Sequence, residues 1–189
     1  QLTGSERVLD VCAGTADVSI GAATASPGSP RVVGVDFAGA MLAKGNEKIR
    51  AAGVPGRVQL VRGDAMSLPV TSGSVDCVTI AFGIRNVQRT AVAIDELHRV
   101  LKPGGRLAIL EFGLPQAPGL RQWYFLGVLP RIGRLVSKHG GAYSYLPQSV
   151  GAFPWGTEFA KLLTAAGFSD AQVRPLTLGV VYLYTARKR

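Results

Sequence analysis

Short apolar runs alternate along this chain with segments in which apolar positions recur every three or four residues. The runs are "RVLDVC", "RVVGVD", "RVQLVRG", "VDCVTIAF" and "GRLAILEF". Each is compact and rich in Val, Ile or Leu, the near-continuous hydrophobicity that a strand needs when helices cover both faces of a parallel sheet. In "AVAIDELHRVLKPGG", Ile94, Leu97, Val100 and Leu101 form one helical face, Lys102 stands near the C-terminal end, and Pro103 with Gly104 and Gly105 stops the helix. In "GTEFAKLLTAAGF", Phe159, Leu162, Leu163 and Ala166 repeat the stripe, with Thr157 predicted as N-cap and Gly167 as the stop. The final stretch, "FSDAQVRPLTLGVVYLYTARKR", holds two runs separated by Leu178 and Gly179, which predict a closing antiparallel pair of strands at one edge.

This alternation predicts an α/β fold, a doubly wound Rossmann-like sandwich with a mostly parallel sheet and an antiparallel edge strand. Its ligand is expected beyond the carboxyl ends of the strands. One domain over residues 1–189 accounts for the whole pattern. Between residues 114 and 156 the alternation lapses into a stretch rich in aromatics, Gly and Pro, where substrate specificity is expected to reside.

Composition narrows the reading. At 189 residues and 47% hydrophobic, the chain can bury one sizeable core. It shows neither the roughly 18 uninterrupted apolar residues of a membrane span nor a basic segment followed by an apolar signal core, so a cytoplasmic protein is expected. Cys12 and Cys77 fall inside strand-like runs and read as buried thiols, while His98 and His139 are isolated, so no metal site is expected. The formal charge of +9 asks for an anionic partner, nucleic acid or a membrane surface.

The turn after the first strand, "VLDVCAGTADVS", carries the first chemistry. A strand entering a tight turn and then a helix points backbone N–H groups at a ligand, but the glycine positions of a dinucleotide fingerprint are largely filled by Cys12, Ala13 and Ala16. Asp10 and Asp17 flank the place where a pyrophosphate would sit, which opposes NAD. S-adenosylmethionine lacks phosphate and has a cationic end, so the same turn suits it. Asp36, closing the second strand, stands where an acidic side chain takes ribose hydroxyls. Asp64, in "RGDA" after the third, stands where it could accept from the adenine amine. A carboxylate thus closes each of three successive strands.

With these residues in place the chain resembles the class I S-adenosylmethionine-dependent methyltransferases. "FGIRNV", "RVLKPGGRLAILEF" and "AYSYLPQSVGAFP" resemble, more narrowly, the C-methyltransferases of menaquinone and ubiquinone biosynthesis. The resemblance implies that Thr15, Asp36, Asp64, Ala65 and Ala81 bind the cofactor, beside Asp10 and Gly14 expected there from the first turn. It also implies that Arg85 and Asn86 lie between methyl donor and quinol, and that Tyr143 and Tyr145 line the substrate cavity. Two departures stand out: Glu111, Phe112 and Gly113 replace the family's Glu-x-Ser, and the first turn is poorer in glycine. Members also carry an N-terminal helical segment with a Tyr-Asp motif, whereas here the first strand begins by residue 7, so a shortened form is expected.

The implied reaction is methyl transfer to a ring carbon of a prenylated quinol, which requires the neighbouring hydroxyl to lose its proton. Arg85 is expected to stabilise the developing oxyanion, with His139 or a tyrosine as candidates to carry the proton. The insert places Arg121, Arg131, Arg134 and Lys138 among apolar residues, the mixture expected of peripheral contact with an anionic membrane surface. Two rivals stand beside this reading: an RNA or DNA methyltransferase, which the absence of a Pro-Pro-aromatic turn after the fourth strand disfavours, and a cofactor-binding domain without turnover.

Overall fold

The computed structural model describes residues 3–25, 28, 30–113, 119 and 153–189. Seven strands form one sheet: β1 (Arg7–Val11), β2 (Arg31–Asp36), β3 (Val58–Arg62), β4 (Val75–Ala81), β5 (Leu101–Phe112), β6 (Phe168–Leu176) and β7 (Val181–Lys188). Their spatial order is β3-β2-β1-β4-β5-β7-β6. The first five are parallel in register, with Leu9 beside Val33 on one side and Val78 on the other. The hairpin of β6 and β7 folds back so that β7 pairs antiparallel with both β5 and β6. The antiparallel strand is therefore next to the edge, and the edge strand β6 runs with the parallel set.

Among the described residues, four α-helices cover the sheet: α1 (Asp17–Ala25), α2 (Gly39–Ala51), α3 (Thr90–Val100) and α4 (Thr157–Ala165). Strand alternation divides the core accordingly. Val8, Val32, Val58 and Cys77 pack with Ala23 of α1 and Ile49 of α2. Leu9, Val11, Val78 and Ile80 belong to the larger cluster with Ile94 and Leu97 of α3, Phe159 and Leu163 of α4, and Tyr182 and Tyr184 of β7. That period of two separates the faces within each strand.

Three boundaries differ from the sequence expectation. α3 ends at Val100, and Leu101 is already extended (φ −68°, ψ 140°). Pro103 disfavours helical backbone at Lys102, and residues 102–105 bulge from the ladder between the Val75–Leu101 and Cys77–Arg106 pairs. Lys102, freed from the helix, reaches the Asp76 carboxylate at 2.6 Å. Thr157 is the first helical residue rather than the N-cap; the cap is Gly156, at φ 65° and ψ −135°, a backbone that glycine alone adopts readily. Of the expected insert, residues 119 and 153–156 are described, and Phe153 and Trp155 belong to the core around Phe159 and Tyr182.

The Gly156 N–H donates to the Tyr184 hydroxyl at 2.7 Å, in a buried setting that pushes the phenol up to about 12. Tyr184→Phe leaves that N–H without its acceptor, and a loss of about 1–3 kcal/mol is expected. Urea unfolding should show a lower midpoint at unchanged slope; an unchanged midpoint would mean that the hydroxyl does not anchor the entry to α4.

Candidate functional site at the strand carboxyl ends

The turn from β1 into α1 is built at a conformational cost. Cys12, Gly14 and Ala16 have φ of 58°, 55° and 67°, and two of the three carry a Cβ in a left-handed backbone, at about 1–2 kcal/mol each. Hydrogen bonds over-determine the turn: Ala16 N–H to Ala13 carbonyl at 2.8 Å and Ala13 N–H to Val35 carbonyl at 3.1 Å. Asp36 completes it. One carboxylate oxygen accepts from Gly14 N–H and the other from Ala38 N–H, both at 2.8 Å. A carboxylate oxygen has two lone pairs, so both oxygens keep acceptor capacity, and the side chain arrives already oriented.

The other two carboxylates of this region do different work from that expected. Asp10 is 1% exposed, lies beneath the turn and accepts from Ser19 Oγ at 2.6 Å and Thr79 Oγ1 at 2.8 Å. Burial pushes its carboxyl above the usual range against those two hydroxyls. Asp17 points to solvent and is ion-paired with Lys48 at 2.7 Å, which with Thr15 holds its carboxyl below the usual range. The flanking pair of charges is thus half neutralised by Lys48 and half buried under hydroxyls, and the exclusion of phosphate falls to Asp36 and Asp64. Thr15 is likewise tied into the surface network, donating to Asp17 and accepting from Lys48 at 2.7 and 2.8 Å.

Above the turn lies a cavity of about 870 Å³. Asp10, Gly14, Asp36, Asp64, Ala65, Ala81 and Asn86 line it, whereas Thr15 and Arg85 do not. Asp64 is fixed by the Met66 N–H, 2.8 Å from Oδ1. Sequence reasoning missed the apolar part of the wall: Val18, Phe37, Met41, Met66 and Leu110. Phe37 is 70% exposed, held by the Arg62 guanidinium over its ring at 5.7 Å and by Arg62 Nε donating to its carbonyl at 3.2 Å. A large apolar residue immediately after the strand-closing Asp36 was the available signal. Gly83 closes the floor: a Cβ there would stand 2.3 Å from Cys12 Cβ, so only glycine lets the β4 turn approach the first turn this closely. Cys12 is confirmed as a free, partly buried thiol, pushed up to about 12 by burial and by Asp36 and Asp10.

Beside the cavity, β4 leads into a single 3-10 turn at Ile84–Asn86. Arg85 and Asn86 separate here. Asn86 lines the cavity, while the Arg85 side chain is 5% exposed and paired with Glu111, itself 0% exposed, at 2.5 Å. A buried guanidinium requires a counter-charge, and Glu111, the acid of the family's Glu-x-Ser, supplies it. Tyr143, Tyr145 and His139 lie outside the described residues.

Comparison with known proteins bears on the family and the fold. Residues 1–188 match the ubiE/COQ5 methyltransferase family. The chain is 43% identical over 185 residues to the ubiquinone/menaquinone biosynthesis C-methyltransferase UbiE of Geotalea daltonii, covering 96% of this chain and 78% of that protein. It is 42% identical over 187 residues to the demethylmenaquinone methyltransferase of Geobacillus kaustophilus, covering 97% and 80%. Among solved structures, a SAM-dependent methyltransferase from Aquifex aeolicus superposes with a TM-score of 0.74 at 18% identity, covering 100% of this chain and 85% of that one. The [4+2]-cyclase SpnF superposes at 0.77 with 20% identity, covering 99% and 76%; likenesses this distant speak for the fold alone. Sequence match and strand order together establish that the chain belongs to the ubiE/COQ5 family of S-adenosylmethionine-dependent C-methyltransferases.

Proposed function

We propose that the chain methylates a ring carbon of a prenylated quinol, demethylmenaquinol or a benzoquinol analogue, and that the cavity above the first turn holds the methyl donor. The observation that carries this reading is the match at 42–46% identity across almost the whole chain to enzymes named for these two quinone series.

The residues present fit the cofactor. Asp36, pre-set by two backbone N–H groups and retaining lone pairs, suits a ribose diol. Asp64, pinned through Oδ1, leaves Oδ2 as an acceptor for the adenine amine. Ala65 and Ala81 keep the walls low, and Phe37 and Met41 offer apolar surface to a purine. Gly14 and the buried Asp10 complete the floor on the side where a cationic end would rest. S-adenosylmethionine supplies a methyl group activated by its positive sulfur. This chain's part is to exclude water, to orient the quinol ring, and to favour loss of the proton from the hydroxyl beside the reacting carbon. Asn86 stands on the cavity wall with an amide that can donate to that oxygen. Arg85 stands behind the wall with its charge paired to Glu111, so Asn86, not the guanidinium, is the group placed to donate to that oxygen. Tyr143 is assigned to the quinol cavity on the family resemblance, and the proton acceptor is unassigned.

Among the described residues no helix is long and apolar enough to cross a membrane. A lipid-tailed substrate is then reached by peripheral contact, for which the cations Arg121, Arg131, Arg134 and Lys138 of the insert are suited. We propose peripheral contact at the cytoplasmic face of the membrane, supported by the charge of the insert alone. Flotation with vesicles containing phosphatidylglycerol should carry the protein upward at low salt and release it as salt rises; equal behaviour with neutral vesicles would remove the electrostatic contact.

Calorimetry tests the cavity. S-adenosylmethionine and its demethylated product should both bind, while NAD should not, because its pyrophosphate would face Asp36 and Asp64. Asp36→Ala should weaken cofactor binding by about 2–3 kcal/mol while unfolding stays cooperative, and Asp36→Asn should lose less because one acceptor oxygen remains. Tight NAD binding, or an unchanged dissociation constant in a folded Asp36→Ala protein, would refute the assignment. Turnover of a demethylated quinol by the wild type, followed by chromatography, checks the substrate.

A further inference from the structure

The Arg85–Glu111 pair is buried more deeply than stability alone would favour. Desolvating two charges costs several kcal/mol per ion, and apolar residues of similar volume commonly fill such a space at no loss. Its connections explain what it does hold. Glu111 sits on β5, and its carboxylate accepts from Arg85 Nη1 at 2.5 Å, from the Arg85 backbone N–H at 3.3 Å and from the Phe112 N–H at 2.8 Å. Arg85 Nη1 donates in turn to the Phe82 carbonyl at 2.7 Å. The guanidinium lies over the Phe112 ring at 5.1 Å, and that ring packs on Phe82 at 4.5 Å. Phe82 itself has φ of 57°, a left-handed backbone that a bulky residue keeps only under constraint.

The residues on either side of Arg85 face the methyl-donor cavity: Phe82 and Gly83 before it, Asn86, Val87 and Gln88 after it. One carboxylate on the neighbouring strand therefore pins the middle of this wall through both the backbone and the side chain of Arg85. Among the described residues, Arg85 Nε is the buried side-chain atom left without a hydrogen-bond partner. The orientation of the guanidinium rests on Glu111, the Phe82 carbonyl and the Phe112 ring.

We propose that Glu111 is a positioning residue for methyl transfer: through Arg85 it fixes the wall from Phe82 to Gln88, and with it the place of Asn86 against the reacting groups. This inference rests on the reading of the cavity as the methyl-donor site. Glu111 does not line the cavity, so its removal should act on turnover more than on cofactor affinity. Small displacements of a group that orients the reactants carry large rate penalties.

The proposal also has a pH signature. Burial pushes the Glu111 carboxyl above the ordinary glutamate range, against the pull of Arg85 and the Phe112 N–H. As pH falls through that raised value, Glu111 takes up a proton and leaves the buried Arg85 guanidinium without its counter-charge. The titratable groups around it are Arg85, Cys12 at the end of β1, and Tyr182 and Tyr184 on β7; the Cys12 thiol and the Tyr184 hydroxyl, both pushed up to about 12, stay neutral throughout. Asp10, also raised, lies under the neighbouring turn, so the Glu111 variant must separate the two.

The test compares wild type with Glu111→Gln, which keeps the shape and removes the charge, and with the double variant Glu111→Gln/Arg85→Met, which leaves no unpaired charge in the core. Glu111→Gln should bind S-adenosylhomocysteine within about threefold of wild type by calorimetry yet lose at least about tenfold in kcat on a demethylated quinol. The acid limb of the wild-type kcat profile should disappear in Glu111→Gln. The double variant should unfold at a midpoint near wild type and keep the low kcat. A kcat for Glu111→Gln equal to wild type overturns the proposal, as does a loss that tracks cofactor affinity alone or is restored in the double variant. Should Glu111→Gln fail to fold, the double variant decides: an acid limb of kcat present in wild type and absent from the folded double variant, which keeps Asp10, supports the proposal, and one that persists there overturns it. A wild type that binds donor but turns over neither quinol removes the substrate reading, and this inference with it. Wild-type turnover with an unaffected Glu111→Gln removes the inference alone.

Discussion

The reversal of strand order between β1 and β4 is the constraint on which the rest depends. Successive parallel strands connect by right-handed crossovers, so the chain runs outward from β1 through β2 to β3 with α1 and α2 on one face. It then returns to start β4 on the other side of β1, with α3 on the opposite face. Above β1 and β4 the two sets of loops part, and the crevice between them is the cavity. Every residue assigned to the cofactor sits at or just beyond a strand end bordering that crevice: Asp10 and Gly14 by β1, Asp36 by β2, Asp64 and Ala65 by β3, Ala81 by β4.

Within the crevice, charge is placed by burial. The carboxylates share one neighbourhood and have three different fates. Asp10, sealed beneath the turn, is satisfied by two hydroxyls. Asp17, on the surface, is neutralised by Lys48. Asp36 and Asp64 are held by backbone N–H groups that orient them without cancelling their charge. A backbone donor fixes a carboxylate while leaving acceptor capacity toward a ligand, whereas a lysine would compete for the same lone pairs. The same logic, with a full counter-charge, keeps Arg85 inside the protein through Glu111.

Much of this was legible in the sequence, because strands buried on both faces announce themselves as apolar runs. The five parallel strands, the β6–β7 pair and the strand-end positions of Asp36 and Asp64 follow from those runs directly. What sequence could not show was where a side chain goes after it leaves the backbone. The family resemblance places Thr15 at the cofactor, but Lys48, 33 residues beyond it, and Asp17 tie its hydroxyl into a surface network, while Asp17 itself stays at the cavity rim. Arg85 looked like a cavity residue because Asn86 beside it is one, yet consecutive residues of a 3-10 turn project in different directions, and a buried acid on the next strand takes the guanidinium. Ala16 and Cys12 were legible as departures from a glycine-rich turn, though the left-handed backbone they tolerate appears only in three dimensions. The Thr157 cap was misplaced by one residue because Gly156 and the Tyr184 hydroxyl, 28 residues apart, settle the helix start between them.

The account joins a donor cavity with an aromatic carbon as acceptor, and the site of methylation is its most exposed claim. Incubation of the protein with S-adenosylmethionine carrying a carbon-13 methyl group and a demethylated prenylated quinol, followed by carbon NMR of the extracted product, reads that site directly. A labelled methyl resonance in the aryl-methyl region, coupled to a ring carbon, is the predicted result. A resonance in the methoxy region, or no label in the quinone fraction from a protein that binds the donor, would contradict it.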